Sequence, residues 1–541
     1  MSLSSFIQIA GGIENIARVL SPDERVILVV LDAKLIDQHN TEVESVEQVQ
    51  QETQLTFVRT EMITDSQLIE LGRQISERQL EQLRPFCQPV PCDYRPQWHI
   101  SPPQGLLNDP NGFIYHNGEY HLFYQWYPYA CVHKDKHWAH LTSKDLVNWH
   151  WQPVALTPSD WFDSHGVFSG HALSQDEQLM LFYTGNTRIG PQRDRHTTQC
   201  LATSKDGIHF EKYGPVIGEL PPGVTSHIRD PKIIRRNDEW LMLLGAQTTD
   251  LKGRLAIYRS NDLHHWRFDK LYGDETGDMG YMWECPDMFE LDGQWFAIIG
   301  PQGIESFSKY NTIPHHNGYF KATWNENSPS LSDFAHLDYG FDFYAPQTMV
   351  TADGRRVLSG WMGLPDEIDQ PSRGWVHQLT ALRELSVRDG KLCQWPIAEM
   401  SALVDKQLEL SLSQQRIDIG TKCFDMSITL EWGQSLNLFV DQESALVIKA
   451  EQENQRLILD RSRTLNRAMD TQRELPLTSQ KVKLRILADN SSVELFVNGG
   501  EAVMTSRVFT NKCATAMSVN GGEANAIVKI LKAATAPFQV N

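Results

Sequence analysis

Nowhere along the 541 residues does an apolar run approach the roughly 20 residues that a membrane-spanning helix requires. Positive charge is also in short supply. Lys and Arg number 49 against 68 Asp and Glu, so the formal net charge is −19. That average field repels polyanionic nucleic acid and anionic membrane surfaces, while leaving room for a local basic pocket that takes a single phosphate. Cysteine is sparse, with 8 copies. They are scattered, none fits a zinc-ligand spacing, and Cys87 and Cys92 stand close together only in a Pro-rich, turn-like context. The N-terminus lacks the basic start of a secretory signal, and Gly11, Gly12 and Glu14 interrupt its apolar stretch. These absences predict reduced thiols, no metal, no cofactor, no membrane or nucleic-acid partner, and a cytoplasmic location.

What is abundant is aromatic. The chain has 15 Trp, a residue that packs β-rich cores and stacks on sugar rings. Its middle repeats itself five times. A short polar turn precedes an aromatic-rich strand in His116–Trp126, Gln175–Asn186, Arg236–Gln247, Leu291–Gln302 and Ala352–Gly363. Asn, Asp and Gly at these turns are the residues tight hairpins demand. Upstream of each turn lies a segment rich in small residues or Pro: Asn108–Phe113, Phe168–Leu173, Arg229–Ile234, Glu284–Phe289 and Tyr344–Met349. Ala139–Trp149, Leu201–Phe210 and Ala256–Trp266 form a third related set, with Ser-(Lys/Asn)-Asp turns. The unit is thus roughly 54–61 residues long with about four strands, which predicts an all-β, five-bladed β-propeller. A generic β-sandwich with coincidentally similar hairpins is the competing reading. In a propeller the innermost strands surround one axis, so equivalent positions converge on one funnel.

The flanks differ. Residues 1–94 read as a small mixed α/β extension. It has apolar runs at residues 25–32 and 55–63, an acidic, Gln-rich linker or exposed loop at 40–54, and a helix over Ser66–Leu83 capped by Thr64 and Gln67. Residues 405–541 alternate like about seven short strands and predict a C-terminal β-sandwich after the propeller at 95–400. The extension is one place where a homo-oligomer contact could sit.

Three carboxylates fall at corresponding places in different repeats: Asp109, Asp230 and Glu284. Each has a structural reading. Asp109 could shape a turn, Asp230 could pair with Arg229, and Glu284 could cap a turn. Glu284 also has apolar neighbours in Trp283 and Cys285, a setting that raises a carboxyl pKa. Cleaving a glycosidic bond takes two carboxyl groups flanking the anomeric carbon, and the convergence of equivalent positions would supply them.

Leu106-Leu107-Asn108-Asp109-Pro110-Asn111-Gly112, Phe168-Ser169-Gly170, Arg229-Asp230-Pro231 and Glu284-Cys285-Pro286 occur in this order. With Phe123-Tyr124-Gln125, His137-Trp138, Tyr344-Ala345-Pro346-Gln347, Gly360-Trp361-Met362-Gly363 and Asp489-Asn490-Ser491-Ser492-Val493-Glu494, the chain from about Trp98 onward resembles glycoside hydrolase family 32. The resemblance implies a five-bladed propeller followed by a β-sandwich. It also implies retaining hydrolysis of the β-fructofuranosidic bond of sucrose 6-phosphate or sucrose, without a metal. In that scheme Asp109 is the nucleophile, Glu284 the general acid/base and Asp230 the transition-state stabiliser. Asn108, Gln125, Ser169 and Arg229 line the fructose subsite, while Phe168, Trp138, Tyr344 and Trp361 complete its walls. An exo-fructanase or fructosyltransferase acting on fructo-oligosaccharides, or a non-catalytic sugar-binding protein, are the alternatives. The sequence departs from the family pattern at His133-Lys134-Asp135-Lys136, where bacterial relatives usually carry an aromatic. This is either a tolerated loop change or a polarity that suits an anionic substrate.

Overall fold

The computed structural model describes residues 2–59, 63–304, 315–326, 328–364, 373–465, 470–479 and 481–534. The described residues of 105–396 contain five antiparallel sheets in chain order, each with a core of four strands. Four of the five open with a two-residue hairpin. Asn117-Gly118 and Asp292-Gly293 have φ values of 47° and 88°, and of 51° and 78°. Those left-handed pairs match the twist of the flanking strands, and Gly takes the second position at no steric cost. The fifth sheet departs from the pattern. Its first two strands, Tyr344–Val350 and Arg356–Met362, are joined by a longer loop closed by Thr351 and Arg355.

The first strands of the five sheets are Gly105–His116, Val167–Gln175, Val224–Arg236, Met282–Leu291 and Tyr344–Val350. Each packs against the next, and the last returns to the first, so they form a closed ring around an axis. Trp375–Val376, from the fifth repeat, pairs in parallel with Gly105-Leu106 of the first and clasps the ring. Below the cavity described in the next section, polar side chains tie the inner strands together. Lys232 lies 3.0 Å from Asp287, whose Oδ2 accepts the backbone N–H and the hydroxyl of Thr348 at 2.8 and 2.9 Å.

Every inner strand breaks its ladder at the same place. Pairing with the second strand skips Asn108-Asp109, Phe168-Ser169, Asp230-Pro231, Cys285-Pro286 and Ala345-Pro346. Such irregularities kink a strand and re-aim its side chains. Proline is tolerated there because no ladder bond is asked of it. Asp230, Cys285 and Ala345, each preceding a proline, have φ values of 65°, 47° and 48°. Non-glycine residues in that region cost on the order of 1–3 kcal/mol each, which the surrounding sheet must offset.

Among the described residues of 404–531, twelve strands form two six-stranded sheets that share one apolar core. The expected count of about seven was too low. Short strands such as Ile417–Asp418 and Gln472–Pro476 carry too few alternating apolar residues to stand out. In the N-terminal part, the helix runs Asp65–Leu83 with the expected Thr64/Gln67 capping box, and it buries Leu68, Leu71 and Ile75. Residues 40–54, expected to be a linker or loop, contribute the strand Ser45–Val49 and the start of Glu52–Val58 to a four-stranded sheet. Ser45–Val49 is an edge strand with no fully buried residue, so the apolar signal is missing there. Residues 60–62 of the second apolar run lie outside the described residues. Gly72 of the helix abuts the carboxylate of Asp160, and a Cβ at that position would collide with it. The helix thereby sits directly on the loop that leads into the second sheet.

A buried ionic junction joins the five-sheet region to the C-terminal sheets. Arg383 Nη2 donates to Glu494 Oε2 at 2.6 Å, and its Nη1 donates to Asp338 at 3.2 Å. His99 bridges Asp489 at 2.9 Å and Glu494 at 3.0 Å. Burial would lower the His99 pKa, but hydrogen bonds and charge from the two carboxylates outweigh it and raise the value above the ordinary 6.5. Burial likewise opposes ionisation of Asp489 and Glu494, yet His99 and, for Glu494, Arg383 hold both below their ordinary 3.8 and 4.5. The His99 contribution is complete below 6.5 and is lost as pH rises through its raised value. The carboxylate contribution is present above 3.8 and 4.5 and is lost as pH falls through the lowered values. Glu494→Ala leaves Arg383 and His99 buried without their shared anion, and is expected to cost roughly 3–5 kcal/mol in urea unfolding. An unchanged midpoint would show that the junction contributes nothing.

Candidate active site

The bulges in the ring point side chains into one cavity of about 550 Å³. Asn108, Asp109, Gln125, Phe168, Arg229, Asp230, Glu284, Tyr344 and Trp361 all line it. Nine of the eleven residues expected from sequence therefore meet in one place, from positions up to 253 apart in the chain. Ser169 and Trp138 stand just behind the surface. Ser169 is buried and donates its hydroxyl to Asp109 Oδ2 at 2.5 Å. Trp138, expected as an aromatic wall, is fully buried, and its Nε1 donates to the Phe168 carbonyl at 3.1 Å. It fixes the backbone of a cavity residue and offers no face to the cavity. Its strand is covered on both sides, so its ring packs with Phe123 and Tyr183.

The three carboxylates have different surroundings. Asp109 accepts from Ser169 on one oxygen and from Asn108 Nδ2 on the other at 3.1 Å. Gln125 donates to Ser169 at 2.9 Å and accepts from Asn108, so these four side chains close a small network. Burial raises the Asp109 pKa. The Ser169 hydrogen bond opposes that, Glu284 adds to it, and Asn108 and Lys136 pull it down. Asp230 accepts the backbone N–H of Cys285 at 2.9 Å. Its own N–H bonds to Thr184 at 3.0 Å, which anchors the strained turn. Burial pushes the Asp230 carboxyl up, with Arg229 opposing and Glu284 and Asp109 reinforcing.

Glu284 is the most heavily held of the three. Arg229 donates to its Oε1 through Nε and Nη2 at 2.9 and 2.7 Å. Gln302 and Tyr344 donate to its Oε2 at 2.6 and 2.8 Å. Cys285 sits between the other two acids, with Sγ 3.7 Å from Asp109 Oδ2 and 3.6 Å from Asp230 Oδ2. One carboxylate ringed by neutral donors, a second tied to a strained turn and a third gripped by a guanidinium can divide nucleophilic, stabilising and proton-transfer tasks. Gln302 and Thr184 lie on second strands, as do Gln125 and Trp361, but no family motif carries them, and without one only register shows which side chains face the axis.

The unusual His133–Lys136 segment also borders the cavity. His133 stands edge-on to Trp361, with ring centroids 5.7 Å apart, and its Nδ1 is 3.2 Å from Lys136 Nζ. Burial, with Lys136 and His377 adding to it, drives the His133 pKa far down, so the imidazole is neutral and accepts from the lysine. Burial also brings Lys136 down to about 7, against the pull of Asp109 and Asp135. The N-terminal sheet reaches this rim. Arg18 donates to Asp135 Oδ2 at 2.7 Å, and Glu52 pairs with Arg193 at 2.9 Å. Among the described residues no helix is long and apolar enough to cross a membrane, and no group of His, Cys, Asp and Glu could hold a metal ion.

Residues 99–396 match the description "Glycosyl hydrolases family 32 N-terminal domain", and residues 398–534 match "Glycosyl hydrolases family 32 C terminal". The chain belongs to glycoside hydrolase family 32 and is a glycoside hydrolase. It is 57% identical over 543 residues to the probable sucrose-6-phosphate hydrolase of Psychromonas ingrahamii, covering 99% of this chain and 100% of that one. Among solved structures it resembles sucrose-6-phosphate hydrolase from Lactobacillus gasseri, with a TM-score of 0.78 and 30% identity over 87% of this chain and 99% of that one. It also resembles a mutant of a Bombyx mori GH32 β-fructofuranosidase in complex with sucrose, with a TM-score of 0.75 and 31% identity over 85% and 98% of the two chains.

The geometry around Cys285 predicts a chemically silent thiol. Burial, with Asp230 and Asp109 adding to it, raises its pKa well above the ordinary 9.0. Iodoacetamide at about pH 8 should label exposed Cys513 of the folded protein and spare Cys285, as read by peptide mass spectrometry. Comparable labelling of the two would mean that the space between the carboxylates is open.

Proposed function

We propose that the protein hydrolyses the β-fructofuranosidic bond of sucrose 6-phosphate, and of sucrose, and releases fructose with net retention. The observation that carries this reading is the meeting of Asp109, Asp230 and Glu284 in one cavity, each on a different inner strand. Relatives named sucrose-6-phosphate hydrolase at 57% and 38% identity support the substrate. A phosphorylated disaccharide is too strongly charged to cross a membrane unaided, so we place the reaction in the cytoplasm.

Within this reading the five sheets are the blades of one propeller spanning residues 95–400. Residues 405–541 form a β-sandwich behind it, and 1–94 are a separate N-terminal extension. The fructosyl ring sits over Asp109, held by Asn108, Gln125 and Asp230, with Phe168, Tyr344 and Trp361 as its walls. Asp109 Oδ attacks the anomeric carbon as the bond to the glucosyl oxygen breaks, and Glu284 gives that oxygen its proton. The anomeric centre is oxocarbenium-like at this point, and the nearby Asp230 stabilises the developing positive charge. The resulting fructosyl ester is cleaved by a water whose proton passes to Glu284, which restores both carboxyl groups. Two displacements at one carbon return the original configuration.

Asp109→Asn keeps the size and most hydrogen bonds of the side chain but removes the nucleophile. Its kcat/KM is expected to fall about 10³-fold or more while the circular dichroism spectrum stays unchanged. Near-normal turnover would remove Asp109 from the role. Ser169→Ala tests the tuning of the same group. Burial already raises the Asp109 pKa, and the Ser169 hydroxyl is the main influence holding it down. Activity requires the ionised form, so losing the hydroxyl should move the acidic limb of the kcat/KM profile to higher pH by roughly one unit. A limb that stays in place, or moves to lower pH, would contradict this.

A further inference from the structure

Arg188 and Arg195 are direct cross-strand partners in the second sheet, on strands Gln178–Ile189 and Asp194–Ser204. Both line the cavity. Like charges placed opposite each other in an antiparallel pair are destabilising. No carboxylate among the described residues forms an ion pair with either one. The acids nearby are already engaged: Glu52 with Arg18 and Arg193, Asp135 with Arg18, and Glu284 with Arg229. The N-terminal sheet thus pairs with Arg193 near the tip of this hairpin and leaves its two cavity-facing guanidinium groups without an ion-pair partner among the described residues.

Both groups are held in place. Arg195 Nη1 donates to Asn186 Oδ1 at 2.9 Å, and the guanidinium lies 5.4 Å over the Phe168 ring. Arg188 Nη1 reaches the Arg193 carbonyl at 3.5 Å. They belong to the acid side of the site. The charges that Arg195 feels are those of Arg229, Arg188 and Glu284, while those that Lys136 feels are Asp109 and Asp135. Glu284 delivers its proton to the glucosyl oxygen, so the glucosyl unit lies on this side and carries its 6-phosphate with it.

We propose that Arg188 and Arg195 form a subsite that grips the phosphate group of the substrate, and so set its preference for sucrose 6-phosphate over sucrose. A dianion between two opposed guanidinium groups turns a repulsive pair into a fork of charge-assisted hydrogen bonds. This rests on the reading of the cavity as a β-fructofuranosidase site, and it can fail while that reading stands.

The test is kcat/KM on both sugars for the wild type, Arg188→Ala, Arg195→Ala, the double variant and, as comparator, Lys134→Ala, another cation that lines the cavity. The ratio of sucrose 6-phosphate to sucrose should fall roughly tenfold or more in each single arginine variant and further in the double, mainly through KM. Arg188→Lys should restore only part of it, because an ammonium lacks the planar fork. Inorganic phosphate should inhibit sucrose hydrolysis by the wild type competitively, and should do so much less in the double variant. If an alanine variant folds poorly, Arg188→Lys and Arg195→Lys allow the ratio to be read on intact protein, where it should fall less but still clearly. A ratio that stays within about twofold, an equal loss on both sugars, or a collapse confined to Lys134→Ala would overturn the proposal. A wild type that cleaves neither sugar would instead bring down the parent reading.

Discussion

The site depends on one backbone device, the interrupted ladder repeated in all five inner strands. A regular strand alternates its side chains between two sheet faces, and here both faces are covered by neighbouring sheets. Asp109 and Asp230 lie in skipped pairs, and Glu284, still paired with Gly300, directly precedes one. The skipped pairs at Asn108-Asp109, Asp230-Pro231 and Cys285-Pro286 turn side chains out of that alternation. The same segments carry the left-handed residues Asp230 and Cys285, so chemical position and backbone strain coincide.

Bringing three acids into one buried cavity raises an electrostatic difficulty, and each acid meets it differently. Asp109 is surrounded by neutral donors from its own and neighbouring strands. Asp230 leans on backbone and on Arg229. Glu284 is held directly by Arg229, Gln302 and Tyr344. These unequal surroundings are what allow chemically similar groups to act as nucleophile, stabiliser and proton carrier. Most of the partners come from strands other than the acid's own, so the tuning exists only once the ring has closed.

Much of this was legible in the chain itself. The five-fold recurrence of segments rich in small residues, four of them with a proline, announced the inner strands, because proline and bulge-forming residues are distinctive against an aromatic-rich background. The N-terminal helix was legible from its cap and spacing. Other features depend on information a linear pattern does not carry. Trp138 was expected at the wall and lies one layer behind it, since depth in a sheet covered on both sides leaves no mark on sequence. The edge strand Ser45–Val49 has too little apolar content to be seen. Arg188 and Arg195 become a pair only through hairpin register, which the intervening Gly190-Pro191 does not reveal.

The parallel clasp between Trp375–Val376 and Gly105-Leu106 has a kinetic consequence. The first sheet of the ring is completed by residues made some 270 positions later. Until then one flank of it is an open edge, able to pair with another chain, and the entropy of closing so long a loop has still to be met. During synthesis the circle of strands stays an open arc, and the carboxylates acquire their shared environment only when its two ends meet.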